Sequence, residues 1–294
     1  MENQDFFKIV EKINLQNGPE PEDFDALTFA INAIGELVKI NKLTQEDVAA
    51  LKSKCSFLQN KESIMGHIIA KPYGYAGDFH IIDRIYTNDI SSSYPKWDNY
   101  SLLNSAAQAV RNRKNYFKEI VGQSMREGGS LLNIASGPAR DLYEFYSENP
   151  TFDFKTTCVE MDEKAINYAK IVNTKFLNKI DFINKNIFYF ETDKKFELIW
   201  SAGLFDYFDD RAFVLLLKKF SKWLKKDGQI VIGNFNDSNN PSRAYMELFG
   251  EWNLKHRTEE QLYSLAKEAG FKTENITVGR EPENVNLFLH LRNY

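Results

Sequence analysis

The order of apolar runs from Leu131 onward constrains the fold more than any other feature of the chain. Short apolar runs alternate there with segments of helical periodicity. The runs read "SLLNIA", "KTTCVEM", "IDFINKNI", "FELIWSAG", "GQIVIGNF", "ENITVG" and "VNLFLHLR". Strands that alternate with helices of about 10 to 15 residues indicate an α/β fold with a mainly parallel sheet covered on both faces. Because no helical segment separates the last two runs, we predict seven strands with the last one antiparallel.

The first part of the chain has helical periodicity instead. Apolar residues recur at three- and four-residue spacing over 22–40, and Thr44 can cap a second helix. A long helix is predicted over 99–125, before the glycines of "EGG". Two loop-rich stretches, 70–79 and 87–99, lie between these helices. The sequence therefore predicts a helical region over residues 1–125 and a sheet domain over residues 126–294.

The composition and charge of the chain limit the classes of binding partner that we expect. The chain is 43% apolar, has a formal net charge of -4 and contains no run of five lysines and arginines. These properties do not favour a nucleic-acid partner or binding to an anionic membrane. No apolar stretch is long enough to span a bilayer, and the N-terminal residues do not resemble a secretory signal. We expect a cytoplasmic protein without stable membrane insertion.

The two cysteines do not suggest a metal site. Cys55 and Cys158 belong to no CxxC pair and to no cluster of cysteine and histidine. Zinc and iron–sulfur sites use such clusters, so we predict that the protein binds no metal. Both cysteines are expected to be small buried apolar residues.

The stretch "NIASGPARD" follows the first predicted strand, where an open α/β sheet usually receives the charged part of a cofactor. Gly137 lets a ligand approach bare backbone, and Ala135 and Ala139 are the smallest substitutes for further glycines. A dinucleotide loop would require a third glycine at Arg140, which disfavours NAD. By itself the stretch fits a cofactor loop and a plain structural turn equally well.

A second residue favours the cofactor loop. Glu160 ends the second predicted strand, and a carboxylate at that position can accept hydrogen bonds from both hydroxyls of a ribose. The loop and the acid together predict a ligand that carries adenosine.

At these residues the sequence resembles the class I S-adenosylmethionine-dependent methyltransferases over roughly residues 126–294. "LLNIASGPA" corresponds to the family's acidic, glycine-rich motif, "INKNIF" to its third-strand motif, and "FELIWSAGLFDYF" to its fourth-strand motif. The resemblance implies a Rossmann-like fold, S-adenosyl-L-methionine as the cofactor, and methyltransferase activity.

The resemblance also implies which residues contact the cofactor. Asn133 replaces an acid that helps to hold the methionine ammonium group, and Asp141 could restore that charge or simply serve as an acid at the start of a helix. The remaining cofactor-binding residues that it implies are Ala135, Gly137, Glu160, Met161, Asn186, Ile187, Ser201 and Gly203.

Catalytic candidates follow the fourth predicted strand, whose carboxyl end faces the methyl group in this fold. Asp206 and Tyr207 occupy that place. Asp206 could act as a general base or orient the substrate, and the alternative is that it caps the next helix. Asp209 is better placed for the cap, which favours a functional role for Asp206.

Two further stretches carry candidate contacts. "KPYGYAGDF" combines aromatic residues with mobile glycines, and we interpret it as a lid over cofactor or substrate. Its alternative is a tight turn with packed tyrosines. Tyr75 is the candidate cofactor contact there, and Tyr73 and Asp78 are substrate contacts. The stretch after the fifth strand contains four further candidate substrate contacts, which are Asn234, Arg243, Trp252 and Arg257. For either arginine, the alternative is a surface ion pair.

These extra stretches resemble a bacterial group identified as 3-hydroxy fatty acid methyl ester synthases. That resemblance implies a carboxylate substrate, which needs no strong base, and a helical N-terminal region that supplies a substrate pocket and its lid. The first hypothesis is thus a methyltransferase that acts on a small or lipid-like molecule, and two other hypotheses stay open. One is oxygen or nitrogen methylation of a natural-product intermediate with Asp206 as base. The other is a non-catalytic protein that senses a ligand or binds a partner. The oligomeric state is not predicted.

Overall fold

A computed structural model describes residues 3–292 and contains a seven-stranded sheet. The strand order is β3-β2-β1-β4-β5-β7-β6. All neighbouring strands are parallel except β7, which is antiparallel to both β5 and β6. The predicted seven strands and the antiparallel last strand are therefore confirmed. The strands are β1 (Gly129–Ile134), β2 (Phe154–Glu160), β3 (Ile180–Asn184), β4 (Phe196–Ser201), β5 (Leu224–Phe235), β6 (Ile276–Arg280) and β7 (Asn286–Arg292).

Within residues 3–292, seven α-helices precede the sheet and four lie between its strands. The first group is α1 (Asn3–Leu15), α2 (Phe24–Lys39), α3 (Gln45–Ser53), α4 (Ile64–Ala70), α5 (Phe79–Thr87), α6 (Pro95–Leu103) and α7 (Ser105–Ser124). The second is α8 (Arg140–Glu148), α9 (Glu163–Val172), α10 (Asp210–Ser221) and α11 (Glu259–Glu268). Across residues 3–292, no helix has the length and apolar character needed to cross a membrane.

The helix starts show which sequence signals were correct. Thr44 caps α3 as predicted, because its hydroxyl accepts a hydrogen bond from the Asp47 N–H at 3.1 Å. The single helix predicted over 99–125 is wrong. Asn104 leaves the helical conformation with ψ 156°, and its side chain accepts a hydrogen bond from the Ala107 N–H, which opens α7. Helix α6 begins earlier, at Pro95, inside the stretch predicted as loop.

The chain divides into two compact units. The helical unit contains residues 1–108 and 240–253, and the sheet unit contains residues 109–239 and 254–294. Residues 240–253 belong to the helical unit because they pack within it. Tyr245 hydrogen-bonds Ser101 at 2.9 Å, and Gly35 lies against Ala244. These bounds differ from the division predicted at residue 126, whose functional roles stay a prediction.

Apolar residues cover both faces of the sheet. On one face, Leu132, Ile199 and Leu289 pack with α10 and α11. On the other, Leu131, Trp200 and Phe288 pack with residues of α7 and α8. Side chains that are adjacent along a strand therefore belong to opposite layers of the core. The parallel strands β1, β2 and β4 end at one edge of the sheet, and the loops that follow them meet there.

Close packing of β4 and β5 at this edge yields a stability prediction. A Cβ atom on Gly233 would lie 2.7 Å from the Ala202 carbonyl oxygen, whereas one on Gly122 of α7 would meet nothing within 4 Å. We expect Gly233→Ala to lower the free energy of unfolding by about 1–3 kcal/mol. The control Gly122→Ala should raise it by up to about 1 kcal/mol through helix propensity. Urea unfolding of both variants measures the difference, and a tolerated Gly233→Ala would contradict the packing described.

Candidate active site

The loop between β1 and α8 has a left-handed backbone at three of its five residues. The φ angles are 53° at Ala135, 51° at Gly137 and 49° at Ala139. This conformation suits glycine and costs alanine roughly 1 kcal/mol. A Cβ on Gly137 would meet nothing within 4 Å, so the protein's own packing does not require glycine there. The loop is held in a strained conformation that leaves open space at its centre.

The carboxylate of Glu160 is bonded directly to this loop. Its Oε2 accepts a hydrogen bond from the Gly137 N–H at 3.1 Å, and its Oε1 accepts one from the Asp162 N–H at 3.0 Å. Burial raises the pKa of this carboxyl, and these backbone donors oppose the rise. Each carboxylate oxygen can accept a second hydrogen bond. The two residues that the sequence analysis paired for one adenosine-bearing ligand therefore lie in contact.

Asn133 contributes a polar atom that the described chain does not satisfy. The residue is 2% exposed, and its Nδ2 has no hydrogen-bond partner among residues 3–292. A buried donor in this state costs about 1–3 kcal/mol unless a ligand accepts its hydrogen bond. This atom is a donor, whereas an ammonium group requires an acceptor. The same amide also carries an acceptor oxygen, Oδ1, so the contact with the ammonium group that the resemblance implies stays a prediction.

Asp141 is the acid closest in sequence to the loop. It lies in the first turn of α8, is buried, and accepts a hydrogen bond at Oδ1 from the Leu142 N–H at 2.9 Å. That bond is the helix-start role considered from the sequence. Burial raises the pKa of Asp141 to about 6, and the positive charge of Arg113 opposes the rise.

Arg113 is a residue that the sequence analysis missed. It lies on α7, is buried, and donates from Nη1 to the Ala202 carbonyl oxygen at 3.4 Å. The same nitrogen would lie 3.1 Å from a Cβ at Gly203. Its charge acts on both Asp141 and Asp206. No sequence signal distinguishes it, because "RNRK" on a long helix normally indicates solvent-exposed side chains.

The candidate adenine contacts lie after β2 and β3. Met161 is 68% exposed, an unusual position for a large apolar side chain. Asn186 accepts a hydrogen bond at Oδ1 from the Phe188 N–H at 2.9 Å. Ile187 is buried in the core face that contains α10 and α11. Adenine contacts by all three stay predictions.

The loop after β4 holds two of the implied cofactor residues. Ser201 is fully buried, and its hydroxyl donates to the Ile134 carbonyl oxygen at 3.1 Å. This bond joins the ends of β1 and β4. Gly203 leaves the space in which the Arg113 guanidinium lies. The structure thus gives both residues a role in shaping the edge of the sheet, and their contact with the cofactor stays a prediction.

The catalytic candidates Asp206 and Tyr207 share a short 3₁₀ turn but differ in exposure. Asp206 is 2% exposed, and Tyr207 is 45% exposed. The Asp206 Oδ1 accepts a hydrogen bond from the Phe235 N–H at 2.7 Å, so the carboxylate joins the turn to the end of β5. Burial raises the pKa of Asp206 to about 7, opposed by that hydrogen bond and by Arg113 and Arg257. Asp209, not Asp206, caps α10, as expected.

Arg257 and Asn234 lie together because they form a hydrogen bond within the protein. Nη1 of Arg257 donates to Asn234 Oδ1 at 2.8 Å and to the Phe205 carbonyl oxygen. Nη2 donates to Phe208 O and to Asp210, and Nε also donates to Asp210. A guanidinium has five N–H donors, and these bonds use all of them. The role of Arg257 as a substrate ligand is therefore not retained, because it fixes the loop after β4.

The other predicted contacts lie in the helical unit. Asp78 is fully buried, caps α5 and bonds His67 Nε2 at 2.8 Å, while Tyr73 packs against Phe79. These contacts agree with the alternative of a packed turn. Arg243 pairs with Glu247 at 2.7 Å, the ion pair considered as its alternative. Tyr75 is partly buried and Trp252 is buried. Their contacts with substrate or cofactor, and the lid, stay predictions.

Metal ligands do not cluster in the described residues. Between residues 3 and 292, no group of three or more histidine, cysteine, aspartate and glutamate side chains could hold a metal ion.

Comparison with known proteins relates much of the sheet unit to a known domain family. Residues 125–270 match a family model described as "Methyltransferase domain". A chemotaxis protein methyltransferase of Borreliella burgdorferi is 22% identical over 205 residues, which are 57% of this chain and 71% of that protein.

Two solved structures share the fold. A suspected exported protein of Bordetella parapertussis aligns with a TM-score of 0.64 and 15% identity over 99% of this chain and 95% of its own. A candidate O-methyltransferase of Nostoc punctiforme aligns with a TM-score of 0.53 and 15% identity over 80% of this chain and 70% of its own.

The matched domain covers the loop with Gly137 and the acid Glu160. The protein is an S-adenosylmethionine-dependent methyltransferase. S-adenosyl-L-methionine is its cofactor. Gly137 and Glu160 are the residue types that fit this cofactor. The open space at Gly137 and the unsatisfied Asn133 Nδ2 are internal observations that fit a ligand at the loop.

The raised pKa of Asp206 predicts how the stability of the methyltransferase depends on pH. The carboxyl has a pKa of about 7 in the folded chain and an ordinary value of 3.8, so the folded state holds its proton longer. The wild type should therefore lose stability as pH rises from about 4 to about 7 and no further above that. Asp206→Asn should lack this loss, giving an advantage on the order of a few kcal/mol at pH 8 relative to pH 4.

Urea unfolding at several pH values measures this difference. The matched control is Asp209→Asn, which changes an exposed carboxylate close by. A constant difference between wild type and Asp206→Asn across pH 4 to 8 would contradict the perturbed pKa.

Proposed function

We propose that this methyltransferase transfers the methyl group of S-adenosylmethionine to a small or lipid-like molecule, with a carboxylate as the acceptor. The observation that supports a carboxylate as the acceptor is the burial and hydrogen bonding of Asp206. This candidate base is buried and is bonded to the backbone of β5. A carboxylate is already a nucleophile at neutral pH, so its methylation requires no base. The resemblance to 3-hydroxy fatty acid methyl ester synthases supports the same acceptor.

The sheet unit supplies the residues that would hold the cofactor. Glu160 would accept hydrogen bonds from the ribose hydroxyls, since both its oxygens keep acceptor capacity beside their backbone donors. The loop around Gly137 would lie against the ligand with its bare backbone. When bound, the cofactor would supply a sulfonium methyl group, which a nucleophile attacks in line while the thioether sulfur of S-adenosylhomocysteine leaves. The chain's own task is to hold the acceptor and the methyl group in line.

A second candidate function is methylation of a hydroxyl or amine with Asp206 as general base. Its support is the pKa of Asp206, which burial raises to about 7. A carboxylate with that pKa can accept a proton near neutral pH, which ordinary surface carboxylates do poorly. The carboxylate would have to become accessible to the substrate for this role.

The cofactor site is tested by binding of S-adenosylhomocysteine, measured by isothermal titration calorimetry. Glu160→Ala removes the proposed ribose acceptor and should weaken binding about 10- to 100-fold. Glu163→Ala, which removes an exposed carboxylate in the first turn of α9, should leave binding unchanged. Equal affinities for wild type and Glu160→Ala would place the cofactor elsewhere.

The acceptor is tested with S-adenosylmethionine labelled at the methyl group. We expect label to enter 3-hydroxy fatty acids rather than the corresponding alcohols or amines. Mild alkali should then release it as methanol, because it hydrolyses esters and leaves ethers and methylamines intact. Alkali-stable label, together with loss of transfer in Asp206→Asn at every pH, would favour the second candidate. The cytoplasmic location stays a prediction.

A further inference from the structure

One side-chain amide of the sheet unit is buried with both of its polar atoms unsatisfied. Asn286 is 1% exposed, and neither its Nδ2 nor its Oδ1 has a hydrogen-bond partner among residues 3–292. No other side chain in that range has two such atoms. Burying a polar atom without a hydrogen bond destabilises a folded protein. A ligand that supplies the missing bonds would explain why such a group is present.

Asn286 lies at the edge of the sheet that carries the candidate active site. It is the first residue of β7 and is paired with Phe235, the last residue of β5. Because β7 is antiparallel to β5, its first residue lies at the same edge as the carboxyl ends of β1 and β4. Phe288, two residues further on, packs with residues of α7, so the side chain of Asn286 points to that face of the sheet.

The turn between β6 and β7 fixes the backbone from which this amide extends. Glu281 is buried, and its Oε1 accepts hydrogen bonds from the Val285 N–H at 2.7 Å and the Asn286 N–H at 2.9 Å. Its Oε2 accepts one from the Glu283 N–H at 2.7 Å and one from Asn112 Nδ2 of α7 at 2.9 Å. The unsatisfied amide is therefore held in place before any ligand binds.

The same carboxylate limits the kind of group that Asn286 can bind. Glu281 places a buried negative charge beside the amide, so a carboxylate of a ligand would be repelled there. The amide itself offers donors at Nδ2 and an acceptor at Oδ1. The matching ligand group is uncharged and both donates and accepts hydrogen bonds, as a hydroxyl does. It is a different group from the carboxylate proposed to take the methyl group.

We propose that Asn286 is a specificity residue that binds a hydroxyl of the methyl acceptor. This inference rests on the proposed transfer to a small or lipid-like carboxylate, and it adds a second recognised group to that acceptor. Because the amide is buried, the acceptor must displace the side chains that cover it. The hydrogen bonds that the hydroxyl then forms with Nδ2 and Oδ1 offset that cost.

The test compares transfer of a labelled methyl group to a 3-hydroxy fatty acid and to the fatty acid of the same length without the hydroxyl. The wild type should prefer the hydroxylated acid about 10- to 100-fold in kcat/KM. Asn286→Val should lower kcat/KM for the hydroxylated acid by that factor and change it for the other acid less than about twofold. Asn286→Thr has nearly the same shape as Asn286→Val but keeps a donor and an acceptor, so it should retain part of the preference.

Urea unfolding of the protein without cofactor or acceptor supplies a readout that is independent of activity. Asn286→Val removes two unsatisfied atoms and should raise the urea midpoint. The matched control is Asn236→Val. Asn236 is also buried, but its Nδ2 donates to the Asn284 carbonyl oxygen at 2.9 Å and its Oδ1 accepts from the Ser238 N–H at 3.0 Å. The control should therefore lower the midpoint, because it breaks hydrogen bonds that the folded chain makes.

Three outcomes would overturn the inference. A lower urea midpoint for Asn286→Val would show that the amide is satisfied within the folded protein, for example by an internal water. A wild type that uses both acids equally would show that the hydroxyl is not recognised. Equal kcat/KM values for Asn286→Val and Asn286→Thr with the hydroxylated acid would show that no hydrogen bond is made at this position.

Failure of the proposed acceptor gives a different result. A wild type that methylates neither acid would contradict the proposed function, and the urea comparison would then test the unsatisfied state of Asn286 by itself.

Discussion

The hydrogen bond from the Gly137 N–H to Glu160 Oε2 joins the two features on which the proposed cofactor site depends. Gly137 belongs to the loop after β1, and Glu160 is the last residue of β2. The parallel pairing of these strands brings their carboxyl ends to the same edge. Glu160 therefore lies beside the loop because of the register of the two strands. The distance in sequence between Gly137 and Glu160 follows from the length of one strand–helix–strand unit.

Strain in the loop after β1 and buried charge in the sheet unit are features that support the proposed ligand site. Ala135 and Ala139 hold left-handed backbone angles that favour glycine. Arg113, Asp141 and Asp206 are charged groups taken out of water, and burial raises the pKa of both acids. Such features reduce the stability of the free protein. They persist at functional sites, where ligand binding can offset their cost.

The sequence predicted the sheet and the position of the loop after β1 well because both depend on local patterns. Apolar runs identified all seven strands, and the position of Gly137 after the first of them identified the loop. The charged side chains that are buried at the candidate site were harder to predict from the sequence. Arg113 is far from the loop in sequence, and its burial depends on how α7 packs on the sheet. Arg257 looked like a substrate ligand because sequence does not reveal that its five donors are used internally.

The most direct test of the proposed cofactor site is a crystal structure of the protein with S-adenosylhomocysteine. The ribose hydroxyls should lie within hydrogen-bond distance of Glu160, and the ligand should pass over Gly137. Adenosine bound away from the carboxyl ends of β1 and β2, with Glu160 not in contact with the ligand, would contradict it.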